Sequence, residues 1–393
     1  MRALLVSPEA PYPAIGGGAL RTASLVEYLG RHFDLDVIMF GQPEHSDPAR
    51  DFPAGLVRRI STIPLRHHRR NLIAKLWRNG VRFLRGAPPL VDRFSGYERE
   101  IGTALEGQQY DLAVLEHLWI APVLEVVRPH ARHTVLDLHN IESNLFRTYA
   151  EADSWPASVA HGRWAESCKR IENQFLPLFD SVLTCSDDDA ATIRPMAKHV
   201  FVYPNAVPLV ALPDVPKLST LVFSGNLEYP PNRSAVAWFT REIWPLLLQV
   251  KPDITWRIVG LHPGAVRSLV CNEAQIHLVG TVERAVPAIA ASSIAIVPLL
   301  SGSGTRIKIL EAWAAGLPVI STSLGAQGLR GRPGEHLLIA DTPETFKDAV
   351  VKLVDNPLFA LQLGAAGRVL YELEYTWPSA WEKLDFTQSL SGK

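Results

Sequence analysis

The chain has 393 residues, 47% of them hydrophobic and 20% charged, with a formal net charge of −1. That length is too great for one ordinary core and predicts two domains, while the balance excludes a disordered chain and the small charge excludes a global field for nucleic acid. Three cysteines, Cys168, Cys185 and Cys271, stand far apart with no CxxC spacing, which argues against a zinc ribbon or disulfide framework and for a reducing compartment.

The opening MRALLVSPEAPYP has a short apolar run before Ser7, Pro8 and Glu9. It predicts a strand and not a secretory signal. Further strands are expected at LDVIMF, DLAVLEH, TVLDL, SVLTC and VFVY, with helical stretches such as Ala19–Gly30 and Pro156–Leu178 between them. Continuous apolar runs that each lead into a helix are the pattern of buried parallel strands. Gly16–Gly18 follows the first strand, but GGGALR lacks the GxGxxG spacing and DVIMFG ends without an acid, which argues against a dinucleotide oxidoreductase.

Arg58–Arg85 contains nine Arg or Lys residues and no Asp or Glu. Within it, Leu72, Ile73, Leu76, Trp77, Phe83 and Leu84 share one helical face, and Lys75, Arg78, Arg82 and Arg85 the other. Two readings follow. Either this basic amphipathic helix docks on an anionic membrane surface, or it packs its apolar face into the core and leaves the basic face in water.

His139 follows a strand, where a histidine is either a structural residue or a catalyst; Asn140 and Glu142 are expected to cap the next helix, and the acidic run Asp187–Asp189 another. The alternation pauses at the proline-rich Asn205–Thr220, read as an interdomain linker. It resumes with LVFS, ITWRIV, IHLVG, IAIVPLL, PVIST and HLLIA. The expected fold is α/β: two Rossmann-like doubly wound parallel-sheet domains, 1–205 and 206–375, facing a central cleft. A last segment, 376–393, carries two tryptophans and is expected to pack back on the first domain. AVPAIAASSIAIVPLL is too short and too broken to span a bilayer, and a cytoplasmic protein is expected, with a peripheral place at the inner membrane face under the first of the two helix readings.

SGSGTRIKILEAWAAGLPVIST carries the densest chemistry. A helix is expected from about Gly304 to Ala315, stopped by Gly316 and Pro318. Its N-terminus favours an anion, and Gly304, Lys308 and Glu311 fall on one face. A diphosphate there would meet Lys308 one turn in. Glu311, about 10 Å along the axis, could accept hydrogen bonds from a vicinal diol such as a ribose. On geometry alone, a surface Lys308–Glu311 pair beside a turning glycine loop serves equally well.

The wording of the motif adds to this. GSGTRIKILEAWAAGLPVISTSLGAQGL resembles the donor-site segment of the retaining group-one glycosyltransferases, whose fold is GT-B. SPEAPYPAIGGGALRTASLVEYL is similar to their first strand, glycine loop and helix. VLDLHNIES, SVLTCSDDDAATI, VYPNAV, LVFSGNLEYPPNRSAVAWF and HLVGTVE fall in the family's order, so the resemblance covers most of the chain. FSGNLEYPPN with GSGTRIKILEA resembles a subgroup tied to polysaccharide and glycoconjugate assembly.

The resemblance implies that Glu311 holds the donor ribose and that the backbone around Ser303, Gly304 and Thr305 approaches the diphosphate and the transferred sugar. It places Gly280 to Val282 near the nucleobase, Gly225 and Asn226 at the donor, Gly17 and Gly18 on the phosphates, and His139 beside the sugar near the reacting carbon. It implies no bound metal and no cofactor apart from the nucleoside-diphosphate-sugar co-substrate. Two positions depart from the family pattern. Ser303 stands where a second glutamate is common, and GNLEYPPNR offers only Arg233 where an Arg and a Lys are usual. Lys308 and Arg306 are therefore assigned to the leaving diphosphate, with Arg233 in reserve.

The expected function is anomer-retaining transfer of a sugar from a nucleotide sugar to a glycan, lipid-linked or small-molecule acceptor. The alternatives are a nucleotide-sugar epimerase of the same architecture, for which no acid/base group is seen paired with His139, and a non-catalytic sugar-nucleotide-binding protein.

Overall fold

A computed structural model describes residues 1–41, 48–67, 71–215, 219–271, 273–302 and 307–384. The chain divides into two compact units. The first is Met1–Pro204 with the segment that begins at Trp381, and the second is Asn205–Ala380.

Unit one is built on seven parallel strands: β1 (Arg2–Ser7), β2 (Asp34–Gly41), β3 (Arg59–Pro64), β4 (Tyr110–Glu116), β5 (Ala131–Asp137), β6 (Ser181–Thr184) and β7 (Val200–Val202), in the order β3-β2-β1-β4-β5-β6-β7. The inner strands are the apolar runs: Ala3, Leu4, Leu5 and Val6 of β1 and Leu112 to Leu115 of β4 are fully buried. Helices cover both faces of such a sheet, which is why these strands read as continuous rather than alternating. Sequence pattern does not announce β3. It lies at the edge and buries Ile63 alone among its six residues, so its apolar signal is weak.

Unit two has six parallel strands: β8 (Thr220–Ser224), β9 (Thr255–Val259), β10 (Ile276–Gly280), β11 (Ile294–Val297), β12 (Val319–Ser321) and β13 (Leu338–Ile339), in the order β10-β9-β8-β11-β12-β13. Both strand orders reverse direction beside their first strand, between β1 and β4 and between β8 and β11. In open α/β sheets that switch point, outside the carboxyl ends of the strands, is where a crevice forms.

Several local expectations change. Asn205–Thr220 is no free tether: Tyr371 donates from its hydroxyl to the Pro208 carbonyl, and Arg368 to that of Val210. The Leu212 side chain fills the space a Cβ at Gly316 would occupy. The Asp187–Ile193 helix is capped by the Ser186 side chain, which accepts from the Asp189 N–H, rather than by an aspartate. Glu142 opens the Glu142–Ala152 helix, but its side chain makes no cap; it is buried. At the other end, the Trp381 indole donates to the Ser24 carbonyl and hydroxyl at 3.1 and 3.0 Å, and Tyr28 donates to the Leu384 carbonyl at 2.6 Å. The chain thus returns to unit one after completing unit two.

The loops leaving β8 and β9 approach each other closely through their backbones. A methyl group at Gly260 would lie 1.8 Å from the Gly225 carbonyl oxygen, whereas one at Gly264, four residues on, would meet nothing within 4 Å. Gly260→Ala should therefore cost more than about 3 kcal/mol and lower the melting temperature markedly, while Gly264→Ala stays within about 0.5 kcal/mol. Equal melting temperatures for the two variants would contradict this close approach.

Candidate active site

In unit two the functional side chains gather at the carboxyl end of β8. The helix Ile307–Ala314 is fixed by burial of Ile309, Leu310, Ala312, Trp313 and Ala314, and the Trp313 indole donates to the His336 carbonyl. Its other face carries Lys308 and Glu311 to the strand end. Lys308 Nζ donates to Asn232 Oδ1 at 2.6 Å and sits 4.1 Å above the Phe223 ring. The same ammonium lies 3.1 Å from where a Cβ at Gly225 would be. It occupies the room that a side chain at 225 would take. Asn232 is oriented in turn by donating from Nδ2 to the Asn226 carbonyl at 2.7 Å.

Glu311 is half-buried and accepts a hydrogen bond from the Ser224 hydroxyl. Burial pushes its carboxyl up to about 7, against the opposing pull of Lys308 and Ser224. The arrangement is a cation and a carboxyl group of raised pKa together at one strand end.

The remaining unit-two positions fall as follows. Val282 is half-buried just beyond Gly280, which ends β10, so it belongs to the same edge of the sheet. Asn226 is exposed, with Oδ1 accepting from the Glu228 N–H. Arg233 is exposed, about 100° around the helix from the inward-facing Asn232. Ser303, Gly304, Thr305 and Arg306 lie outside the described residues, as does the expected helix start at Gly304.

Unit one gathers a second group at its own switch point. β4 and β5 pair Glu116 with Asp137, and both are fully buried. His139 Nε2 lies 3.4 Å from Asp137 Oδ2 and 3.7 Å from Glu116 Oε1, long for hydrogen bonds but close for charge. Burial opposes the imidazolium, yet the two carboxylates outweigh it and raise the His139 pKa. His117 is packed against it, ring centroids 3.7 Å apart, and is held well below the usual histidine range by burial and by His139. His117 itself sits at φ 66, a strained conformation of the kind that clusters at functional sites.

Arg21 anchors this group. Its Nε donates to Asp137 Oδ2 at 2.8 Å and its Nη2 to Oδ1, while Nη1 donates to the Tyr203 carbonyl. Burial works against the Asp137 anion, but Arg21 and His139 hold its carboxyl well below the usual range. Gly18 completes the set: a Cβ there would lie 3.9 Å from His139 Nδ1. Gly17, Gly18 and His139 are therefore brought together, with Gly17 opening the helix Gly17–His32.

Sequence reasoning missed Glu116, His117 and Asp137. It also missed that His139 has acidic neighbours, so the expectation of no acid/base group beside it is corrected. The available signal was the pair of strand ends LEH and DLH, each an apolar run closed by an acid and a histidine. Donor atoms of Glu116, Asp137 and His139 lie within 4.8 Å of one another, a spacing that could hold a metal ion. Arg21, however, already engages both oxygens of Asp137 and supplies positive charge there.

An unfolded glutamate ionises near about 4.3, below the folded value of about 7 for Glu311. The unfolded state releases its proton first, so stability should fall from about pH 4.3 to about 7 and then level. Glu311→Gln should match the wild-type melting temperature at about pH 4 or below and exceed it above pH 7. A difference that does not vary with pH would refute the buried carboxyl.

Residues 219–356 match the family model described as "Glycosyl transferases group 1". An uncharacterized 44.6 kDa protein in the cps region of Klebsiella pneumoniae is 23% identical over 374 residues, covering 90% of this chain and 91% of the relative. A GDP-mannose-dependent monoacylated alpha-(1-6)-phosphatidylinositol monomannoside mannosyltransferase of Corynebacterium glutamicum is 28% identical over 152 residues, 36% of this chain and 40% of that protein. Among solved structures, Anabaena HepE in complex with UDP-glucose superposes with a TM-score of 0.68 at 12% identity, covering 99% of this chain and 100% of that one. Together with the two parallel-sheet units, these likenesses lead to one conclusion: the chain has the GT-B fold, and its residues 219–356 match the group 1 glycosyltransferase model.

Proposed function

We propose that the protein is a cytoplasmic, anomer-retaining glycosyltransferase that moves a sugar from a nucleoside-diphosphate-sugar to a glycan, lipid-linked or small-molecule acceptor in polysaccharide or glycoconjugate assembly. The observation that carries this reading is the Lys308 ammonium beside Gly225, one helical turn from the half-buried Glu311. The named relatives add support: one depends on GDP-mannose and one holds UDP-glucose.

In this reading the acceptor oxygen attacks the anomeric carbon on the face from which the diphosphate leaves. The new C–O bond forms as the old one breaks, and the acceptor's proton passes to the departing phosphate oxygen. Lys308 stabilises the charge that develops there, since a preorganised, partly desolvated cation is worth most where charge appears. Arg306 and the backbone of Ser303 to Thr305 serve the same phosphates, and Arg233 stands in reserve. Glu311 accepts from the ribose hydroxyls, Val282 borders the base, and Gly225 and Asn226 shape the floor. Gly17, Gly18 and His139 are assigned to the phosphates and the transferred sugar. No metal is required.

A second reading, nucleotide-sugar epimerisation, gains from one observation: His139 with Asp137 and Glu116 is an acid/base group in one place. A panel of UDP-, GDP-, ADP- and dTDP-sugars, screened by thermal shift and then by product analysis, separates the two. Nucleoside diphosphate release with transfer supports the transferase, and an isomerised donor supports the epimerase. Lys308→Ala should lower turnover by about 10²-fold or more with an unchanged melting temperature. Near-wild-type turnover in that variant would count against the assignment.

A further inference from the structure

The helix Leu72–Arg85 lies the opposite way round from a core-packing amphipathic helix. Asn71 caps its start by accepting from the Ala74 N–H, and Gly86 ends it in the left-handed region. The middle of its basic face, at Arg82, turns inward. Arg82 is buried, with Nε donating to Asp92 Oδ2 at 2.7 Å. Arg163, from the helix Ala157–Phe175, donates to the Phe83 and Leu84 carbonyls and lies over the Phe83 ring. The apolar face turns outward: Ile73 is 80% exposed, Leu76 62%, Trp77 77% and Leu84 76%. These four fall within about 100° of one another at 100° per residue. Val159, one turn ahead of Arg163 on its own helix, is 52% exposed.

Scattered exposed leucines need no explanation, but four large apolar side chains on one face of one helix do. The surrounding charge says what covers them. Residues 58–85 hold no Asp or Glu. Arg58 and Arg59 pair with Asp36 and Arg82 with Asp92, while Lys75, Arg85 and Arg66 remain exposed. A tryptophan and aliphatic side chains, with the exposed Lys75 and Arg85 about 80–100° beyond the two edges of that apolar arc, suit an interface with apolar depth and a negative surface that long basic side chains reach by extending along the helix flank.

We propose that this helix face is a docking surface for an anionic lipid bilayer, with Ile73, Leu76, Trp77 and Leu84 entering the headgroup–acyl boundary and Lys75 and Arg85 meeting the headgroups. The inference stands independently of the proposed reaction, because it concerns a surface that the donor and His139 groups do not use.

Co-sedimentation of the full chain with phosphatidylcholine vesicles, with and without phosphatidylglycerol, tests it, alongside gel filtration. Wild-type protein should pellet with the phosphatidylglycerol vesicles and be released as salt rises. Trp77→Glu should weaken binding by about tenfold or more, and Lys75→Glu with Arg85→Glu should remove the preference for phosphatidylglycerol. All three positions are exposed, so the melting temperature and donor-induced thermal shift should not change. Wild-type protein that stays in the supernatant overturns the proposal. So does equal pelleting of Trp77→Glu and wild type, or a dimer that Trp77→Glu splits while vesicles bind neither.

Discussion

Lys308 can stand at the end of β8 only because residue 225 has no side chain, and the β8 and β9 loops can meet only because residue 260 has none. That constraint sets the chemistry of unit two. A half-buried ammonium over the Phe223 ring exchanges part of its hydration for an aromatic face and the Asn232 amide oxygen. Glu311, one turn along, has its carboxyl pushed by burial toward the neutral form up to about pH 7.

Unit one reaches a comparable concentration of charge by a different route. Arg21 and Asp137 form a fully buried pair, and such pairs are costly unless geometry and hydrogen bonding are good. Here the guanidinium grips both carboxylate oxygens, donates to a carbonyl and stacks on Tyr203. The pair is therefore a rigid base from which Asp137, with Glu116, biases His139 toward its charged form while His117 beside it stays neutral. Two closely packed, tilted imidazoles with opposite protonation preferences come from one histidine facing carboxylates and the other held neutral by burial and by the neighbouring imidazolium.

Much of the architecture was legible because buried parallel strands write themselves as continuous apolar runs; β1, β4 and β8 stand where those runs predict. The edge strand β3 was not, because a strand half in water loses that signature. At the site, Lys308 and Glu311 were legible from helical spacing and motif wording. Ser224, Asn232 and Gly260 were not, since their roles depend on β8 lying beside β9 and on contacts across many residues of chain. Glu116 and Asp137 become partners only through strand register. Periodicity gave the Leu72–Arg85 helix two faces but not which one turns inward; Asp92, ten residues beyond Arg82, decides that.

Trp381 and Leu384 complete the surface of the Gly17–His32 helix through Ser24 and Tyr28. A ribosome delivers those two partners more than three hundred and fifty residues apart. Unit two, continuous in the chain, can finish folding while unit one still waits for its closing segment. Unit one is thus completed by residues that follow unit two in the chain, and a chain lacking Trp381 and Leu384 would leave one face of the Gly17–His32 helix bare.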